Sequence, residues 1–87
     1  VAAPSDPRPS YHLGVLLSGQ GRHQEAADAM ERSLTLGDHP ATRYSLAVIL
    51  RYYLQRPDEA RRHLQAALAS PELSPELRSL TEAELAR

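Results

Sequence analysis

The chain has 87 residues, a formal net charge of -1 and no cysteine. This length supports one small domain. The charge gives no general attraction to nucleic acid or to an anionic membrane, and the missing thiols exclude disulfides and thiolate metal sites. β-Branched residues are sparse, while alanine and leucine supply most of the apolar side chains. The composition therefore indicates closely packed helices, and the predicted fold class is all-α.

The chain ends and the overall composition predict the cellular setting. Every basic residue is arginine, which we attribute to codon bias in a GC-rich, bacterial genome. No signal peptide is visible, and the apolar runs are much shorter than the ~20 residues of a membrane span. The chain begins at Val1 without an initiator methionine. We therefore expect a piece of a longer protein that resides in the cytoplasm.

The first half of the chain predicts a linker and two helices. Residues 1–7 contain two prolines and predict a linker, because proline disfavours helix in the residue before it. Apolar residues at helical spacing, Leu13, Leu16 and Leu17 with Tyr11 and Val15 flanking them, predict a first helix from about Pro9 to Gln20. A second helix is predicted from His23 to Leu36. The short turn around Gly21 makes the two helices antiparallel neighbours.

The second half of the chain predicts a similar pair of helices. Pro40 fits the first turn of a third helix that extends to about Gln55, and Pro57 fits the first turn of a fourth that ends near Ala69. Apolar residues recur at helical spacing in both the third and the fourth segment. The inner-face residues of the fourth helix are predicted to be Ala60, Leu64, Ala67 and Leu68.

A small tandem near the end, Ser-Pro-Glu-Leu at 70–73 and again at 74–77, predicts where the last helix begins. Proline inside a helix costs about 3 kcal/mol, so only one copy can start a long helix. We predict a turn at the first copy and a fifth helix capped by Ser74 that ends near Ala86. Leu77, Leu80 and either Ala83 or Glu84 follow helical spacing in this segment.

Both helices of the first pair recur in the second pair. Leu13-Gly14-Val15-Leu16-Leu17 precedes Leu46-Ala47-Val48-Ile49-Leu50 by 33 residues, and Glu25-Ala26 precedes Glu59-Ala60 by 34. The change from 33 to 34 predicts one extra residue in the second turn. Gly14, Ala26, Ala47 and Ala60 are expected where helix backbones approach closely, with larger side chains such as Met30 and Leu64 filling the gaps between helices.

At these positions the chain resembles the tetratricopeptide repeat family. Residues 11–40 read YHLGVLLSGQGRHQEAADAMERSLTLGDHP, which contains the family's Leu-Gly pair at Leu13-Gly14, its turn glycine at Gly21 and its small residue at Ala26. Ser33 takes the slot for a second small residue, and Pro40 is the delayed closing proline. The second unit departs from the pattern, since Ala47 replaces the glycine and Gln55-Arg56-Pro57 replaces the turn glycine.

The resemblance implies a right-handed superhelical stack of two antiparallel hairpins closed by a capping helix. The single helical domain would span residues 8–87. Its parts would be a first repeat at about 8–37, a second at about 38–70 and the capping helix at about 74–86. Because about three repeats are usually needed to bury a continuous core, two hairpins suggest self-association or the end of a longer array.

Catalytic and ligand-binding patterns are weak, so we predict no enzyme activity, cofactor or metal site. No pair among His12, His23, His39 and His63 has the spacing that places two metal ligands on one helix face. Asp58 and Glu59 fit the first turn of a helix, where acidic residues complement its dipole. Glu82 and Glu84 are predicted to be solvated, as are Arg61 and Arg62.

In the resembled family the first helix of each repeat lines a concave groove. The corresponding residues here predict a partner-binding set with tyrosine and arginine anchors: Tyr11, Val15, Ser18, Tyr44, Val48, Arg51 and Tyr52. The alternative interpretation makes Tyr11 and Tyr44 simple packing residues between helices. The absence of lysine and asparagine argues against the family's carboxylate clamp, although Arg51 could contact an acidic group.

These patterns predict a non-catalytic scaffold or adaptor that binds a peptide or helix of another protein, with no nucleic acid and no membrane as partner. A second hypothesis is a self-assembly or intramolecular docking module within a larger repeat protein. It would form a homo-oligomer or pack on neighbouring domains through apolar ends such as Leu77 and Leu80. A third is a non-catalytic regulatory segment of an enzyme encoded elsewhere in the same chain.

Overall fold

Five α-helices make up most of residues 6–87, the range that the computed structural model describes. They are α1 (Arg8–Gly19), α2 (His23–Leu36), α3 (Pro40–Tyr52), α4 (Pro57–Leu68) and α5 (Pro75–Leu85). No strand occurs between residues 6 and 87, so the all-α prediction is confirmed. Most of the predicted linker, residues 1–5, lies outside the described range. At its end the carbonyl of Pro7 accepts a hydrogen bond from Ser33 Oγ at 2.8 Å.

Proline and serine set the helix starts as predicted. α3, α4 and α5 each begin with a proline, where the missing N–H leaves no helical hydrogen bond unmade. Ser74 caps α5 by accepting a hydrogen bond from the backbone N–H of Leu77 at 3.2 Å. Ser70 instead accepts one from the N–H of Glu72 at 3.2 Å and belongs to a turn. The prediction that only the second serine starts a helix is therefore confirmed.

The two turns inside the hairpins differ in length by one residue. Three residues connect α1 to α2 and four connect α3 to α4, which confirms the extra residue expected from the repeat spacing. Each turn passes through the left-handed region, at Gly21 with φ 79° and at Gln55 with φ 56°. Because Gln55 reverses the chain, α3 ends at Tyr52 and not near Gln55 as the sequence predicts.

The helices pack in sequence as two stacked hairpins and a closing helix. α1 packs on α2, α3 on α4, and α3 also lies against α2. α5 packs along α4 and makes a smaller contact with α3. The right-handed path of the stack stays a prediction, as do the domain boundaries.

Small residues sit where the paired helices approach most closely. Gly14, Ala26, Ala47 and Ala60 are all buried. A Cβ atom added at Gly14 would lie 2.7 Å from Met30 Cγ and 3.2 Å from the carbonyl oxygen of Ala26. Met30 and Leu64 are fully buried beside them. The predicted close approach is thus confirmed in the first hairpin, and Ala47, Ala60 and Leu64 are buried as predicted in the second.

Of the three leucines at helical spacing in α1, only Leu17 is buried. Leu13 and Leu16 are 42% and 59% exposed, whereas Leu17 is 9% exposed. Within residues 6–87, α1 packs extensively on α2 alone. Because α1 has one packing neighbour, only one side of α1 is buried. That side contains Gly14 and Leu17. Leu13 and Leu16 lie outside this buried side and remain exposed.

The residues at helical spacing in α5 are likewise only partly buried. Thr81 is fully buried, and Leu77, Glu84 and Leu85 are half-buried. Leu80 is 51% exposed, and Ala83 is exposed as well. Glu84, predicted to be solvated, keeps only 12% of its side chain exposed. Polar contacts from α3 to Glu84 turn α5 so that Thr81 and Glu84 face inward.

Candidate functional site

A groove between α1 and α3 brings together four of the seven predicted partner-binding residues. Val15 and Ser18 lie on its α1 side, and Tyr44 and Val48 on its α3 side. The groove has a volume of about 300 Å³. Its remaining lining residues come from α2 and from the α3 stripe next to the predicted one: Met30, Ser45, Ile49 and Tyr53.

The groove has an apolar floor, an open rim and no charged lining residue. Met30 and Ile49 are 2% and 4% exposed and form the floor, while Val15 and Tyr53 are 48% and 56% exposed at the rim. Tyrosine and serine hydroxyls add hydrogen-bonding capacity. Such a surface can take an apolar side chain and orient it with a few neutral hydrogen bonds.

Sequence reasoning missed Tyr53 as a groove residue. The prediction followed Tyr44, Val48 and Tyr52 along one stripe of α3, but Ser45, Ile49 and Tyr53 follow the same four-residue spacing one position later. The second stripe was a detectable signal. Choosing between the two stripes required knowing how α3 is rotated against α1 and α2.

Tyr11 lies outside this groove. It lines a separate cavity of about 340 Å³ together with Pro7, Arg8, Ser33, His39, Ala41 and Thr42. Tyr11 also packs against the hydrophobic core, as Tyr44 does. Tyr11 and Tyr44 occupy equivalent positions in the two repeats, but they line different pockets. Both the packing role and the binding role of these tyrosines stay predictions.

Arg51 and Tyr52 both contact Glu84 of α5. Tyr52 Oη donates a hydrogen bond to Glu84 Oε1 at 2.8 Å, and Arg51 Nη1 lies 3.2 Å from the same oxygen. Arg51 Nη1 also donates to the backbone carbonyl of Glu84. The hydrogen bond to the Glu84 carboxylate stabilises the neutral phenol and raises the pKa of Tyr52 above its usual value.

A second polar cluster links the start of α3 to α4. Arg43 pairs with Asp38 through two hydrogen bonds, Nε to Oδ1 at 2.7 Å and Nη2 to Oδ2 at 2.9 Å. Arg43 Nη1 is 3.1 Å from His63 Nδ1, a geometry that suits a neutral imidazole accepting the hydrogen bond. Burial and the neighbouring arginine lower the pKa of His63 below 6.5.

Among residues 6–87, no three histidine, aspartate or glutamate side chains lie close enough to hold a metal ion. No helix in that range has the length and apolarity to cross a membrane.

The first hairpin matches a known repeat family. Residues 11–37, which cover α1 from Tyr11 onward and all of α2, match the family model for the tetratricopeptide repeat. The first hairpin is a tetratricopeptide repeat. Within the matched residues, Gly14 and Ala26 lie where α1 and α2 approach closely, and Gly21 lies in the turn between them.

Tetratricopeptide repeats are generally protein–protein interaction modules without catalytic activity. The second hairpin lies outside the matched residues, but buried Ala47 and Ala60 stand where Gly14 and Ala26 stand in the first. Neither the curated proteins nor the solved structures contain a significant match to the chain.

Proposed function

We propose that this chain is an adaptor that binds a peptide or helix of another protein in the groove between α1 and α3. The observation that carries the proposal is the open apolar groove formed by Val15, Ser18, Tyr44 and Val48. It lies between the first helices of the two hairpins, where the repeat family generally receives partners. Grooves of this kind bind through shape and a few anchor residues.

The lining residues favour an uncharged anchor on the partner. Placing a charged side chain over buried Met30 and Ile49 would cost desolvation energy with no opposite charge among the lining residues. An aliphatic or aromatic anchor would bury apolar area on this floor. Tyr44 and Tyr53 supply the amphipathic rings that are enriched at binding hot spots.

A displayed library of random twelve-residue peptides tests this proposal. Peptides selected on the wild-type chain are expected to share an apolar anchor and to lose at least about tenfold in affinity for Val48→Glu, because the new carboxylate would sit over the apolar floor. Tyr44→Ala should weaken the same peptides. Fluorescence polarisation of labelled peptides measures both changes.

Gln65→Glu provides the matched control, since it adds the same charge at an exposed position of α4. Affinity should be unchanged in this variant. Circular dichroism of each variant checks that the helices are intact. Peptides that bind Val48→Glu and wild type equally well would place the binding surface elsewhere and refute the groove.

A second candidate function, self-assembly through apolar ends, is favoured by three exposed leucines. Leu13 and Leu16 form an uncovered pair on α1, and Leu80 is uncovered on α5. If the chain self-assembles, sedimentation velocity should show an oligomer, and Leu16→Glu should dissociate it. A monomer at several hundred micromolar would rule out this second function and leave the groove proposal unaffected.

A further inference from the structure

Arg51 and Tyr52 on α3 form a carboxylate-binding seat, and the chain's own last helix occupies it through Glu84. Glu84 Oε1 accepts the hydrogen bond from Tyr52 and lies within ion-pair distance of Arg51, at 2.8 Å and 3.2 Å. Arg87 Nε approaches the other carboxylate oxygen at 3.3 Å. The Arg51 and Glu84 side chains are only 15% and 12% exposed, so this ion pair is weakly screened by solvent.

The rest of α5 is held by few apolar contacts. Thr81 is its one fully buried residue, and its hydroxyl donates to the carbonyl of Leu77 at 2.7 Å within the same helix. Leu77 and Leu85 are half-buried, and Leu80 faces solvent. α3, by comparison, buries Leu46, Ile49 and Leu50. Elements with little buried apolar surface open at lower free-energy cost than the core.

We propose that α5 is a displaceable latch and that a partner helix carrying a glutamate followed by leucine takes its place on Arg51 and Tyr52. The occupant is defined by what the seat already holds. The carboxylate of Glu84 meets the two α3 donors, and Leu85 packs against the hydrophobic core beside it. A partner helix with this pair offers the same charge and the same apolar group.

Displacement follows from competition between an intramolecular and an intermolecular ligand. The covalently attached α5 has a high effective concentration, so it holds the seat in the isolated chain. A partner helix must supply additional contacts to replace it. This seat lies at the C-terminal end of α3, and its residues do not line the uncharged groove. The latch therefore does not depend on the function proposed for that groove.

A labelled peptide with the sequence of residues 75–87 tests the latch when it is added to the folded 87-residue chain. Wild type should bind it weakly. Glu84→Gln in the chain removes the charge that holds the latch, and peptide affinity should rise about tenfold or more, the range expected for one charge-assisted hydrogen bond. Glu82→Gln is the matched control, because it makes the same change at an exposed position of the same helix, and its affinity should equal that of wild type.

The seat itself is tested by changes on α3 and in the peptide. Adding Arg51→Met to Glu84→Gln should abolish the gain, and so should a peptide in which the residue equivalent to Glu84 is glutamine. Tyr52→Phe removes a hydrogen bond that the latch and the peptide would both make, so it should change peptide affinity by less than about threefold. Hydrogen exchange should show α5 amides exchanging faster than those of α3, and about tenfold faster again in Glu84→Gln.

Two results would overturn the proposal. The first is a Glu84→Gln chain that binds the peptide no better than Glu82→Gln while its helices remain folded. The second is a wild-type dimer in sedimentation velocity that Arg51→Met dissociates, because the occupant would then be a second copy of this chain. Tyr44→Ala tests the groove from a position seven residues before Arg51 and adds no charge near the seat, so failure of one proposal is distinguishable from failure of the other.

Discussion

The imidazole of His23 stacks on the phenol ring of Tyr53, with ring centroids 3.8 Å apart and ring planes 13° from parallel. His23 begins α2 and Tyr53 follows the end of α3, so this contact joins the turn of the first hairpin to the second hairpin. Arg56 Nη2 adds a hydrogen bond to Gln24 Oε1 at 3.2 Å across the same junction.

Removing this stack should destabilise the protein modestly. Tyr53→Leu is expected to lower the free energy of unfolding by about 0.5–1 kcal/mol, because aromatic pairs contribute about that much beyond their buried area. Tyr53→Phe keeps the ring and serves as the control. Urea titration followed by circular dichroism measures both, and equal losses in the two variants would contradict a contribution from stacking.

His23→Phe should keep or raise stability. His23 Nδ1 is buried without a hydrogen-bond partner, and a buried unpaired polar atom costs about 1–3 kcal/mol. Phenylalanine keeps a flat ring against Tyr53 and removes that atom. A thermal melt in which His23→Phe unfolds well below wild type would show that the imidazole nitrogen is satisfied in solution.

Substitutions at the left-handed residues of the two turns should have opposite effects on stability. Gln55→Gly should stabilise the chain by about 0.5 kcal/mol, because a side chain at φ 56° is strained and glycine is not. Gly21→Ala should destabilise it by about 1 kcal/mol at φ 79°. Chemical denaturation measures both changes, and a loss of stability in Gln55→Gly would show that the glutamine side chain contributes more than its backbone costs.

Gly14 and Gly19 offer a matched pair of substitutions in one helix. Gly14→Ala should lower the free energy of unfolding by about 1 kcal/mol, because the new Cβ would lie 2.7 Å from Met30 Cγ and overpacking outweighs the gain in helix propensity. Nothing lies within 4 Å of a Cβ at Gly19, so Gly19→Ala should be neutral or slightly stabilising. Similar effects in both variants would contradict the close approach of α1 and α2.

Stability should fall as the pH drops through the titration of His63. Burial first, and the charge of Arg43 second, lower the pKa of His63 below its ordinary 6.5. Arg62 acts in the same direction, while Glu59 and Asp38 oppose it. The unfolded chain therefore binds the proton more tightly than the folded chain, and the stability present above about pH 6.5 is lost on acidification through the lowered pKa.

Chemical denaturation of wild type and His63→Gln between about pH 7.5 and 5 measures this effect. The pH dependence should be shallower in His63→Gln, since the substituted side chain does not titrate. Parallel curves for the two proteins would show that another group accounts for the change.

The periodic and turn signals of the sequence were sufficient to predict the helices. α2 has the predicted bounds, proline begins α3, α4 and α5, and the extra turn residue appears where the repeat spacing places it. The buried pairs Gly14–Ala26 and Ala47–Ala60 were also predicted, because small residues at a fixed period mark close helix contacts. These features depend on residues near one another along the chain, where local propensity and spacing decide.

Only the tertiary structure decided which side of each helix is covered and which polar groups meet. Leu13 and Leu16 follow the same apolar spacing as Leu17, yet only Leu17 faces α2. The pairing of Glu84 with Arg51 joins residues of two helices that are 33 positions apart. Such contacts depend on the rotation and tilt of each helix against its neighbours, which small differences in packing energy determine. The sequence by itself therefore determined five helices and a repeated hairpin, and long-range packing decided that Glu84 occupies the seat predicted for a partner.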